Sequence, residues 1–146
     1  MKNTNYETPL SMTAEEWQAL QKEKALSNEM DEWSQAAYEH LSNIATLFIM
    51  AGEELDIAEM CLAMDAREMH RVLLRQALDR VPQGTPEEHA LLMLTEYFIK
   101  QWGQMGDKTK VAVLMELGPI MNELGQACLV RKLTAAEPET HGLELF

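Results

Sequence analysis

Four carboxylates fall into two matched pairs. Glu29 and Glu32 are three residues apart, as are Glu53 and Asp56, and twenty residues (33 to 52) separate the pairs. On a helix, that spacing puts both members of a pair on one face. Each such face could meet a basic surface on a partner. Acids are also favoured in the first turn of a helix, where both pairs fall, so solvated caps are the plain alternative. A second cluster is basic: Arg67, Arg71 and Arg75 recur every four residues, with His70 among them. Such a row can face a phosphate backbone, an acidic protein or a second copy of the chain. Glu68–Arg71 and Arg75–Asp79 also have the spacing of ordinary intrahelical ion pairs. A third constellation is apolar. Leu143, Leu145 and Phe146, with Glu144 between them, follow a polar stretch from Thr134 to His141. In an apolar pocket each would contribute on the order of 1.5–3 kcal/mol before ordering costs. The pocket is either on a partner or on the chain's own helical body.

The remaining chemistry is sparse. No His lies three or four residues from another, no Glu-x-x-His occurs, and no Gly-rich phosphate loop is present. No cofactor is expected. His40 falls on an apolar helix face and reads as a satisfied core residue. Cys61 and Cys128 lie in apolar helical segments without ligand spacing, and are expected as reduced core thiols.

The elements that would position these residues are helices. Residues 1–12 read as a loose arm, 13–133 as an all-α domain of six to seven helices, and 134–146 as a flexible tail. Thr13-Ala-Glu-Glu16 is a capping box that starts a helix running to about Leu26. Asn28 can cap the next, whose core face comprises Trp33, Ala37, His40, Leu41, Ile44, Phe48 and Ala51, with Gly52 as its stop. A short helix is expected over Glu54 to Ala63. Asp65-Ala-Arg-Glu68 has the form of a second capping box, for a helix to Arg80. Thr85-Pro86-Glu87-Glu88 starts another, carrying Leu91, Leu92, Leu94, Tyr97, Phe98 and Trp102. The last, Lys108 to Leu133, should kink or break at Gly118-Pro119.

Three short patterns resemble known ones. Leu143-Glu144-Leu145-Phe146 resembles the peptide by which bacterial proteins dock on the DNA polymerase sliding clamp, with Gly142 where that motif usually has Gln. The resemblance covers five residues and implies recruitment to a replication or repair assembly. The two carboxylate pairs are similar to the metal-binding pattern of the all-α nucleotide pyrophosphohydrolases of the MazG type, with Asn28 replacing a further acid. That likeness implies Mg²⁺ held against a triphosphate. Residues 57–78 resemble a helix-turn-helix in which Met64 and Met69 pack at the turn, Asp65 caps the second helix, and Arg67, His70, Arg71 and Arg75 face DNA. Glu59 stands where that motif needs a small apolar residue.

Charge narrows the choice. The formal net charge is -12. Residues 1–56 hold three Lys against eleven acids, and 57–80 hold four Arg against four acids. An acidic field repels phosphate backbones, so direct nucleic-acid binding is disfavoured. It suits a basic nuclease, toxin or DNA-binding protein, although such charge also serves plain solubility. Glu15, Glu16, Glu29, Asp31, Glu32, Glu39, Glu53, Glu54 and Asp56 would form that acidic surface. The eleven Met residues serve core filling or adaptable binding. No apolar signal-peptide core or bilayer-length run is found, and the chain is expected to be cytoplasmic. The expectation is a non-catalytic helical interaction or regulatory protein, with the clamp as partner, an acidic inhibitor or immunity-type protein as the alternative, and the pyrophosphohydrolase third. A homodimer is compatible with each.

Overall fold

The computed structural model describes residues 11–27 and 32–136. Thr13 and Glu16 make the reciprocal cap: the Thr13 N–H donates to Glu16 Oε1 at 2.9 Å, and the Glu16 N–H donates to Thr13 Oγ1 at 3.1 Å. Helix α1 follows, Ala14–Ser27, and buries Trp17. Just before it, β1 (Ser11–Met12) pairs antiparallel with β2 (Leu55–Asp56), in the register Ser11 to Asp56 and Met12 to Leu55. These two residues therefore belong to the body and not to the arm. Met12 is buried in the core.

Helix α2, Glu32–Ala51, is the hub and makes the most extensive contacts with other elements. Ala37, His40, Leu41, Ile44, Phe48 and Ala51 are buried, as their spacing predicts. Trp33 is 45% exposed. It stands one turn before the first buried residue of the helix, at an end where the Ser34 hydroxyl donates to Glu116 and the seam is polar. Gly52 ends α2 with φ +80°. Its N–H donates to the Ile49 carbonyl and the Glu53 N–H to the Phe48 carbonyl, which satisfies the last turn. An added Cβ there would also strike the Arg80 guanidinium at 2.5 Å.

Helix α3, Ile57–Leu62, starts later than expected. Pairing with β1 holds Leu55 and Asp56 extended, and Asp56 then caps the helix by accepting the Glu59 N–H at 3.1 Å. Helix α4 spans Arg67–Arg80 and packs along α2. Its cap position is Ala66, whose methyl group cannot accept a hydrogen bond. Asp65 is engaged elsewhere, as described below.

Helix α5, Pro86–Glu96, begins as predicted: Thr85 Oγ1 accepts the Glu88 N–H, and the Glu88 carboxylate accepts the Gly84 N–H. Leu91 and Leu94 are buried, but Leu92 is 57% exposed. One residue advances a helix by about 100°, so Leu92 turns away from the core that Leu91 enters. The chain then widens into a π-helical turn over Tyr97–Trp102, closed by the Gly103 N–H on the Phe98 carbonyl. Helix α6, Asp107–Ala136, is the longest and does not break at Pro119. Its buried residues Val113, Leu117, Met121, Leu124 and Cys128 form one seam on both sides of the proline. That continuous packing outweighs the lost hydrogen bond. Thr134 to Ala136 complete its last turn, and Asn28 and residues 137–146 lie outside the described residues. The fold is all-α, with six α-helices among the described residues.

Candidate interaction surfaces

The most polar part of the interior lies where α2, α4 and the π-helical turn meet. His40 is fully buried. Its Nε2 is 2.7 Å from the Met64 carbonyl, which can only accept, so the proton sits on Nε2. Its Nδ1, 2.6 Å from the Tyr97 hydroxyl, then accepts from that O–H. The ring stacks on Trp102 with centroids 3.7 Å apart. Burial lowers the His40 pKa to about 4, against the raising effect of the Met64 carbonyl. The expectation of a satisfied core histidine holds.

His70, expected to face DNA, is also buried. Its Nε2–H donates to the Ala63 carbonyl at 2.5 Å, and its ring lies 4.5 Å from that of Phe98. Burial lowers its pKa as well. Asp65, expected as a helix cap, accepts from Trp102 Nε1 at 3.0 Å and from Lys110 Nζ at 3.3 Å. The Lys110 ammonium also lies over the Trp102 ring, 5.1 Å from its centroid. Thus Asp65 ties the loop before α4 to the π-helical turn and to the start of α6. With His70 inward and Asp65 diverted, the recognition-helix arrangement loses two of its parts.

The arginines remain on one face of α4. Arg67 donates to the Gly103 carbonyl at 3.3 Å, and Arg71 stands 3.8 Å from Glu68. Arg71 and Arg75 border a groove of about 950 Å³ against the π-helical turn, with Val72, Leu78 and Ile99 beside them. Glu68 and Asp79 line it too, so the groove is amphipathic and not uniformly basic.

The carboxylate pairs fare differently. Glu29 and Asp31 lie outside the described residues, and of Glu32 only the backbone is described. Glu53 and Asp56 do not share a helix face, because the α2 stop and β2 separate them. Glu53 accepts from Gln76 at 2.9 Å, and Asp56 serves as the α3 cap. No cluster of three or more metal-ligating side chains occurs among the described residues. The β1–β2 ladder does bring Glu16, Glu53 and Glu54 around one shallow groove.

Sequence reasoning missed the main apolar feature. A groove of about 910 Å³ runs between α3 and α6, lined by Ile57, Leu62, Leu114, Leu117, Met121 and Leu129 among others. Leu62 is 67% exposed and Leu129 41% exposed on its walls. Cys61, expected in the core, is exposed on the same wall, since Ile57 and Met60 take the buried face of so short a helix. Partial burial in the wall, and then Asp56, raise its pKa, so it is a weak nucleophile at neutral pH. Cys128 is buried. The one available signal was on α6: Gly118 and Gly125, seven residues apart, both border the groove.

No family model, curated protein or solved structure matches this chain. No helix among the described residues is long and apolar enough to cross a membrane.

Proposed function

We propose that this is a non-catalytic helical interaction protein. The observation that carries the reading is its surface. Eleven large apolar side chains are exposed among the described residues, and several of them line the α3–α6 groove or the α4 groove. Grouped exposed apolar side chains of this kind mark protein contacts. The sharper form is recruitment to a DNA replication or repair assembly, with Leu143, Leu145 and Phe146 as anchors on the sliding clamp. These residues lie outside the described part of the chain. Titrating purified bacterial sliding clamp with the intact chain and with a version ending at His141 tests it. The truncated chain should bind at least about tenfold more weakly, which corresponds to the loss of one good apolar anchor. Equal affinities would end the clamp reading.

The gathering of Glu16, Glu53 and Glu54 at the β1–β2 end favours a second reading, an acidic inhibitor of a basic nuclease, toxin or DNA-binding protein. Association with such a partner is steered by charge. Its rate should fall by about tenfold or more between low and physiological salt. A rate indifferent to ionic strength would count against it.

A further inference from the structure

We infer, resting on the reading of Leu143–Phe146 as an apolar docking peptide, that this segment also occupies the α3–α6 groove of its own chain, so that the groove holds the peptide in reserve. The groove runs along the helix that leads to the peptide. From Ala136, α6 passes Leu129 after seven residues and Met121 after fifteen, or about 10 and 22 Å at 1.5 Å per residue. Residues 137–142 can span about 20 Å when extended. Leu143 therefore reaches the stretch between those two positions, even if part of that reach is used in reversing direction.

The trough suits an extended chain. Gly118 and Gly125 border it, and nothing lies within 4 Å of where a Cβ would stand on either. The α6 backbone is thus open to close approach. Leu117 and Met121 form an apolar floor, and Leu62 and Leu129 form the walls. In an extended segment, alternate side chains point to opposite sides. Leu143 and Leu145 would enter together, leaving Glu144 in water. A groove of this size and lining is of the kind that takes such side chains. A tether of this length also keeps the peptide at an effective concentration in the millimolar range, which favours its own groove over a second molecule.

Cys61 on the groove wall reports occupancy. The rate of its alkylation by N-ethylmaleimide, resolved from Cys128 by mass spectrometry, is measured at mildly alkaline pH in the intact chain and in the version ending at His141. Cys128 stays unreactive while the body remains folded. The truncated chain should alkylate Cys61 at least about fivefold faster, since protection falls with occupancy. Leu145→Asp in the full chain should reproduce this rate, since a carboxylate is not accepted in an apolar trough. Equal rates in intact and truncated protein would overturn the inference. Protection that appears only as protein concentration rises would also overturn it, and would place the peptide in the groove of a second copy. The clamp titration reads a separate event, so either result can fail while the other stands.

Discussion

His40→Ala should destabilise the protein by about 4 kcal/mol, read as a shift in the urea midpoint at unchanged slope. Three losses add up. The cavity left by a fully buried ring costs a few kcal/mol by analogy with other large-to-Ala core changes. The Tyr97 hydroxyl and the Met64 carbonyl lose their partner in the same step, at about 1–3 kcal/mol for each group left unsatisfied. Trp102 loses the ring stacked against it. Some relaxation offsets the sum. Tyr97→Phe alone should cost only about 1 kcal/mol. Combined with His40→Ala it should cost less than the two effects added, because one hydrogen bond is counted in both. A cost below about 1 kcal/mol for His40→Ala would mean that this network does not hold α2 to the π-helical turn.

Acid should unfold the protein through the same residue. His40 titrates near 4 when folded and near 6.5 when unfolded. Between those values the unfolded chain binds the extra proton, so stability rises with pH. It should be constant above about pH 7.5 and fall by about 3 kcal/mol between pH 6.5 and 4. His70 is shifted in the same direction and adds to the slope. His70, Asp65 and Lys110 act on His40 with smaller and partly cancelling effects. His40→Gln can still donate to Met64 and accept from Tyr97, but it does not titrate. Its urea midpoint should therefore show a shallower decline across this window. An unchanged slope in that variant would assign the acid sensitivity to other groups.

The sequence carried those elements whose signals are local. The Thr13–Glu16 and Thr85–Glu88 starts need only neighbours three residues away, and both form as spaced. The Gly52 stop is equally local. Asp65 shows where such reasoning fails. Its capping pattern is sound, but Trp102 and Lys110, 37 and 45 residues on, compete for the same carboxylate. Nothing in the sequence near Asp65 reveals them. His40 was recognisable as core from its helix face, yet its partners Tyr97 and Met64 were not. Trp33 was placed on the core face by its helical spacing, yet it is exposed: apolar residues also supply much of any folded surface. The α3–α6 groove was illegible because its walls lie more than fifty residues apart in sequence. Of the two glycines that keep its floor low, Gly118 was read only as part of a helix break with Pro119.

The widened turn at Tyr97–Trp102 sets how this region tolerates change in length. A π-helical turn within an α-helix holds one residue more than the α-helical path needs. That residue lets Tyr97, Phe98 and Trp102 all face the two buried histidines, with Trp102 on His40 and Phe98 on His70. Removing one residue here would restore regular winding and shift Tyr97, Phe98 and Trp102 out of register with the histidines. Trp102 would leave His40, and the bond to Asp65 would go with it. A single deletion in this six-residue turn would therefore do more harm than most substitutions within it. The chain's length through this segment is as much a part of the fold as the identity of its residues.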